Sequence, residues 1–383
     1  MLVDTESLYQ EVISELVEYS AWAVDVETNG TDAYSGDHIC GVGVAVTKDN
    51  GVNIKTFYFP FRHQQGENLP LHLLDDLLTS MSCRDELLGY NFKFDLSFLE
   101  KDGLDVDKKI LKDVMLLVRL TASSTIRELG LTKTIIRLYG PEAGQYDVDT
   151  KKYLQSNKWN KDFSLAPANV LGPYCEKDVF WTYRVYFDCL EKIKVSRQVD
   201  ILELQYELTR VLYDMERTGI SIDVPYAKRA MAKIQARQEE VANQIYQLAG
   251  QEFNIRSTQE TGEVFHSLGI HSSVMTATGK ESWSESALAQ IDHLLAGLIR
   301  QYRALTKLSS TYLEPYLDKE VLHTSFCNWG AVTGRLSSRE PNLQNIPRTH
   351  FRLRDVQLTE EELGVVKGRV EASVTNKGGS IET

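Results

Sequence analysis

The stretch AWAVDVET, residues 21–28, decides the reading of the first half of the chain. Ala21, Trp22, Ala23 and Val24 make a short apolar run of the kind that forms a buried strand. Asp25 and Glu27 follow at i and i+2, so both carboxylates leave the same face of such a strand. Two carboxylates side by side repel, and a divalent cation relieves that repulsion. An acid at the end of an apolar strand is costly unless it is paired or metal-bound. The spacing alone fits equally a strand that has reached the surface. Asp105/Asp107 and Asp147/Asp149 repeat it, but in polar surroundings that read as solvated loops.

Working outward, residues 5–20 carry Val12, Ile13, Leu16 and Val17 at helical spacing. HICGVGVAV (38–46) and IKTFYFP (54–60) read as two further strands, and a Leu-rich helix covers about 69–81. ELLGYN (86–91) reads as a fourth strand and FKFDLSFLEK as the helix after it. Mainly helical segments continue to about residue 194. Three strands, a helix, a strand and more helices predict an α/β domain with a mixed sheet. After Lys194 the pattern changes. Residues 197–218 read as a helix, ISID as a short strand, and 226–249 as a long charged helix closed by Gly250. A polar segment covers 254–285, and 286–317 reads as a second long helix.

The chain has 383 residues, enough for two or three domains. Its five cysteines are odd in number and none are in CxxC spacing, which fits reduced thiols in a cytoplasm. No apolar run reaches the roughly 18–20 residues of a membrane span, and the acidic N-terminus is unlike a signal peptide. A cytoplasmic chain with no membrane partner is expected. The net charge of −12 argues against nucleic acid as an average. A site that gathers carboxylates is itself acidic, however, so local motifs outweigh the sum.

Three further positions matter. Asp95 follows the fourth strand and is ringed by Phe92, Phe94, Leu96, Phe98 and Leu99. Tyr174 and Asp178, in YCEKDVFWTY, lie four apart and share a helix face. Singly, each also fits an ordinary helix. Together the order is strand D-x-E, an Asp after a later strand, and Y-x-x-x-D on a helix. In this, residues 1–194 resemble the DEDD exonuclease superfamily, in its tyrosine-bearing branch. The resemblance implies an RNase H-like fold, with metal-binding carboxylates at Asp25, Glu27, Asp95 and Asp178 and a water-orienting tyrosine at Tyr174. It further implies hydrolysis of 3′-terminal nucleotides with two Mg²⁺ ions, or Mn²⁺ in their place, and no catalytic histidine. His63, in PFRHQQGE, reads as a surface loop residue.

The second half resembles the family A DNA polymerases, the bacterial polymerase I and phage replicase group. ELQYELTRVLYDMERTGISID, FNIRSTQETGEVFHSLGI and IRQYRALTKLSSTYLEPYL carry the likeness of a helical thumb over 195–322, with Thr261 where a Leu is usual. GAVTGRLSSREPNLQNIP, within 323–354, resembles the entry to the palm. There Thr333, Arg335, Ser337, Ser338, Asn342, Gln344 and Asn345 crowd polar groups around two prolines and a glycine, a turn suited to a sugar–phosphate backbone. The implied partners are a single-stranded 3′ end and a primer–template duplex. Lys280, Arg303 and Lys307 read mainly as solvated surface. Residues 355–383 read as a polar tail, with a short charged helix over 359–373. The later polymerase motifs are not found before Thr383, so polymerisation by this chain alone is not expected. A separate palm-and-fingers chain or a processivity factor would then be a further partner. A non-catalytic DNA-binding remnant is the third reading, opposed by the intact five-residue set. With no 5′-nuclease stretch read ahead of the exonuclease-like one, a phage-type replicase is expected by analogy.

Overall fold

A computed structural model describes residues 1–107, 110–123, 125–328, 330 and 333–346. The expected polar tail, its short helix and the last residues of the palm entry lie outside them. The described chain divides into two compact units. One is Met1–Arg217 with Phe326–Ser337, and the other is Thr218–Ser325 with the described residues from Ser338 onward.

In the first unit, α1 (Glu6–Leu16) precedes three strands, β1 (Ala21–Thr28), β2 (Ile39–Val46) and β3 (Lys55–Pro60). Then come α2 (His72–Ser82), β4 (Glu86–Gly89), α3 (Lys93–Lys101) and β5 (Ile110–Asp113). The five strands form one mixed sheet in the order β3-β2-β1-β4-β5. β1 is antiparallel to β2 and β2 to β3, whereas β1–β4 and β4–β5 are parallel. α4 (Val114–Thr121), α5 (Leu131–Tyr139), α6 (Gln145–Ser156), α7 (Ala168–Val195) and α8 (Val199–Thr218) follow.

β1 is covered on both faces, and its alternation assigns them. Trp22, Val24 and Val26 join a core with Tyr9, Leu16, Leu77 and Leu99. The Trp22 indole N–H, fully buried, donates to the Leu16 carbonyl at 3.1 Å. Ala23 joins the opposite core with Val179 and Tyr183 of α7. Asp25 and Glu27 continue the Ala23 face. Their partners across β2 are Gly43 and Gly41. A Cβ on Gly43 would lie 2.5 Å from Cys175 Sγ of α7, and one on Gly41 would lie 2.1 Å from the Tyr58 hydroxyl. The two glycines let α7 and Tyr58 close over the row that holds the carboxylates.

Two elements of this unit differ from expectation. β5 is an unpredicted fifth strand, because the apolar run Val114–Val118 just after it gives the local signal of a helix. Its parallel pairing to β4 is a tertiary fact. α6 replaces the solvated loop expected around Asp147. Only Asp147 and Leu154 of that helix are buried, too few to print an apolar period.

In the second unit, a short strand β6 (Ile220–Ser221) pairs antiparallel with β7 (Val321–Leu322). α9 (Val224–Ala249) ends at Gly250, whose φ of 71° makes the left-handed cap. α10 (Thr258–Ser267) lies inside the segment expected to be polar and irregular. Ser257 caps it, its hydroxyl accepting from Glu260 N–H at 3.2 Å, and Val264 and Phe265 carry its buried face. The second long helix is interrupted: α11 (Glu285–Leu288) and α12 (Leu294–Lys307) are separate, and a wider turn at Leu308–Leu313 precedes Pro315. The His293 ring starts α12 by accepting from Leu295 N–H at 3.1 Å. Ile234, Val241, Ile245, Phe265, Trp283, Leu295 and Ile299 form the unit's core. Among the described residues no helix is long and apolar enough to cross a membrane. All five cysteines are free, with Cys40, Cys175 and Cys189 buried.

Gly43→Ala should force α7 off the sheet, because its Cβ would also lie 3.1 Å from Val179 Cγ1. A loss of about 1–3 kcal/mol in urea unfolding is expected, as for overpacking elsewhere. Unchanged stability would show that α7 does not rest on this glycine.

Candidate functional site

The site starts where β1 leaves its apolar stretch. Glu27 is 4% exposed and its Oε1 is buried with no hydrogen-bond partner among the described residues. Asp25 is partly open to solvent, and its Oδ2 accepts from the Cys175 thiol at 3.4 Å. Donor atoms of Asp25, Glu27 and Cys175 all lie within 4.8 Å of one another. Asp95 reaches the same place from the first turn of α3. It is 2% exposed, and its Oδ1 accepts the Val26 backbone N–H at 3.0 Å. The residue before Phe92 makes this geometry possible: Asn91 has a φ of 58°, a conformation that asparagine tolerates better than most side chains. The start of α3 has no side-chain cap of its own. Asp113 of β5 serves instead, accepting from Asn91 N–H at 2.9 Å and Phe92 N–H at 3.2 Å.

α7 supplies the rest. Asp178 accepts a short hydrogen bond from the Tyr146 hydroxyl of α6. Tyr174, one turn earlier and 9% exposed, donates its hydroxyl proton to Asp147 Oδ1 at 3.1 Å. Asp147 is 5% exposed and pairs with Lys151 at 2.7 Å. The solvated loop expected there is therefore replaced by a buried acid that orients a site tyrosine. Asp147, Tyr146 and Cys175 were missed by the sequence reading. Only the position of Cys175 beside Tyr174 gave a clue.

The electrostatics show the four predicted carboxylates gathered in one cluster. Burial pushes the Asp25 carboxyl up to about 7, against the pull of the Cys175 thiol. Glu27 is raised by burial and then by the charges of Asp25, Asp178 and Asp95. Asp95 and Asp178 are each raised by burial first and by Asp25 next, against the bonds from Val26 N–H and Tyr146 respectively. Tyr174 is raised by burial and by Asp178, and stays protonated. A buried carboxylate oxygen without a partner costs about 1–3 kcal/mol or more. Several like charges in one low-dielectric place add to that. A hard divalent cation fits what these oxygens lack, and the donor set is carboxylate apart from one thiol.

The other predicted positions fall as follows. His63 is not a surface residue. It is 5% exposed, its Nδ1 lies 2.7 Å from the Ala166 carbonyl and its Nε2 lies 2.7 Å from the Tyr58 hydroxyl. It tethers the β3 end to the start of α7. Arg303 is not solvated surface either. Its guanidinium donates to Ile255 O at 3.2 Å, Trp283 O at 2.7 Å and Thr261 Oγ1 at 3.0 Å. Lys280 is exposed as expected, and so is Lys307. In the palm-entry stretch Thr333 and Arg335 are exposed and Ser337 is half-buried. In the second unit Asn342, Gln344 and Asn345 are exposed. Ser338 is 3% exposed there, and its hydroxyl accepts from Leu343 N–H at 2.9 Å, so it shapes the loop from within.

Known proteins share this pattern. The family described as 3′-5′ exonuclease matches residues 1–194, and DNA polymerase family A matches residues 224–366. DNA polymerase I of Chloroflexus aurantiacus is 29% identical over 355 residues, covering 88% of this chain and 36% of the relative. DNA polymerase I of Synechocystis sp. is 29% identical over 381 residues, with 90% and 36% covered. The thermostable DNA polymerase I of Thermus filiformis is 40% identical over 172 residues, or 42% of this chain and 20% of the relative. The chain thus spans little more than a third of the length of the first two. Among solved structures, the POL domain of Pol1 from M. smegmatis, in complex with DNA primer-template and dNTP, is similar in fold. Its TM-score is 0.63 at 19% identity, covering 91% of this chain and 56% of that one. A mixed-sheet, RNase H-like domain followed by a helical region, matched along its first half to the 3′-5′ exonucleases and beyond it to the polymerases, makes this chain a member of the family A DNA polymerases.

Proposed function

We propose that this chain carries a metal-dependent 3′→5′ exonuclease that trims DNA one nucleotide at a time, as proofreading requires. The observation that supports it most is the clustering of Asp25, Glu27, Asp95 and Asp178, with Glu27 Oε1 buried and unpartnered. These four would hold two Mg²⁺ ions, or Mn²⁺ in their place, through oxygen ligands. The chemistry that such ions would supply is a lowered pKa for water and an offset to the charge that develops on the phosphate and the leaving 3′ oxygen. The protein's own groups set the geometry. Tyr146 holds the Asp178 carboxylate, and the Val26 N–H holds that of Asp95. Tyr174 gives its only hydroxyl proton to Asp147, which leaves its oxygen as an acceptor for the attacking water. Product would leave as a nucleoside 5′-monophosphate. The domains follow the same reading: exonuclease over 1–194, thumb over 195–322 and palm entry from 323. Exposed Thr333 and Arg335, and separately Asn342, Gln344 and Asn345, would touch a primer–template duplex of the kind held by the M. smegmatis protein.

The test is a 5′-labelled single-stranded oligonucleotide with Mg²⁺ or EDTA. A Mg²⁺-dependent ladder shortening from the 3′ end is expected. Asp25→Ala and Asp178→Ala should each slow it at least about a hundredfold, the scale on which one electrostatic stabiliser is felt. Variants that digest DNA at the wild-type rate would refute the site. Arg335→Ala should weaken duplex binding by about 1 kcal/mol or more while leaving single-strand hydrolysis intact. Equal duplex affinity would remove that residue from the DNA contact.

Stability without metal gives an independent check. Asp25 titrates at about 3.9 in an unfolded chain and at about 7 in this fold, so the folded state holds the extra proton between those values. That contribution is present at low pH and is lost as pH rises through 7. In EDTA, Asp25→Asn should therefore gain on the wild type in thermal unfolding from pH 5 to pH 8, and Mg²⁺ should stabilise the wild type more than the variant. A stability difference that does not change with pH would contradict the burial of that charge.

A further inference from the structure

A second group of ligating side chains lies in the helical unit, remote in sequence from the carboxylates. His266 occupies the last turn of α10 and His271 the connection after it. Glu281 closes a small hairpin in which Thr276 N–H donates to Lys280 O and Ser282 N–H to Val274 O, both at 2.7 Å. His266 Nε2 lies 3.0 Å from Glu281 Oε2, and His271 Nδ1 lies 2.9 Å from Glu281 Oε1. One ligand atom from each of the three falls within 4.8 Å of the others.

We propose that His266, His271 and Glu281 form a binding site for a divalent ion of the zinc class, which staples the end of α10 to the 274–282 hairpin. Two imidazoles and one carboxylate are a donor set that zinc accepts, with a water in the fourth position. Ligand bonds of about 2.0–2.2 Å place tetrahedral ligand atoms about 3.3 Å apart. One donor atom from each residue already lies within 4.8 Å of the other two, and the two histidine–glutamate contacts, to different carboxylate oxygens, are 3.0 and 2.9 Å. Imidazole nitrogen disfavours Mg²⁺, so this site would select a different ion from the carboxylate cluster.

The surroundings suit exchange with solution. His266 and His271 side chains are 48% and 69% exposed, and that of Glu281 is 21% exposed. Ser272 N–H donates to Glu281 Oε2 at 3.1 Å and so holds the carboxylate between the two histidines. The His266 ring packs edge-on against Trp283, centroids 5.6 Å apart, and Trp283 stacks on Phe265 at 4.9 Å. One ligand is thereby fixed to the core of its unit. An ion would join residues 15 apart in sequence across a segment with little core of its own.

The test is a calorimetric titration of Zn²⁺ into the full chain with excess Mg²⁺ present, for the wild type and for His266→Ala, His271→Ala and Glu281→Gln. The wild type should bind one Zn²⁺ more tightly than any variant by at least roughly tenfold, a loss as large as that seen for outer partners of metal sites. All three variants should keep the wild-type exonuclease rate, which separates this site from the carboxylates, and the wild-type far-ultraviolet circular dichroism, which shows the helical unit folded. Hydrogen exchange on the wild type supplies a readout without substitution: Zn²⁺ should slow the amides of 266–282. Equal isotherms for wild type and variants, or no slowing in that segment, would mean that the histidines only hydrogen-bond Glu281, and the proposal would fall.

Discussion

Glu27 follows Ala23 and Asp25 on one strand face, with a carboxylate oxygen sealed from water and from any donor among the described residues. Three other acids raise its pKa further. Such an arrangement opposes folding unless a cation completes it. The surrounding structure is organised to hold it nonetheless. Paired glycines on β2 make room, α7 closes over the row, and Asp113 of β5 fixes the start of the helix that delivers Asp95. Local stability has been given up at one place, and the apolar cores on either side of the sheet offset the cost.

Hydrogen bonds from behind hold the side chains of the cluster in place. Tyr146 and Asp147 are adjacent on α6 and serve adjacent turns of α7, one holding Asp178 and the other Tyr174. A helix with only Asp147 and Leu154 buried is thus kept in place by polar contacts to the site together with the packing of Leu154 beside Leu171 and Tyr174. In the helical unit Arg303 plays the comparable part. Its three bonds tie the start of α10 to the Trp283 segment, and Thr261 supplies one acceptor. The departure from leucine at Thr261 therefore has a local reason: the fully buried hydroxyl accepts from Arg303 while donating to Ser257 O at 2.7 Å.

The carboxylates were legible because strand and helix periods are local. Asp25 and Glu27 two apart, and Tyr174 and Asp178 four apart, must share faces whatever the rest of the chain does. β1, β2, β3 and α3 were read close to their observed limits for the same reason. His63 was misread because the carbonyl that anchors its Nδ1, that of Ala166, lies 103 residues away in sequence. α6 was hidden because only Asp147 and Leu154 of it are buried, and α10 because two of its four buried residues are Thr261 and Gly262, which do not read as apolar.

By itself the sequence determined which side chains leave a common face and where long helices such as α7 and α9 run. Those are consequences of backbone geometry over a few residues. The tertiary structure alone decided that Asp147 is buried against Tyr174, that Tyr146 holds Asp178, that Asp113 caps a helix it does not belong to, and that two histidines meet Glu281. Each of these joins groups from different elements. Such meetings are fixed by how the elements pack, and packing is settled by the burial of whole faces rather than by any short run of residues.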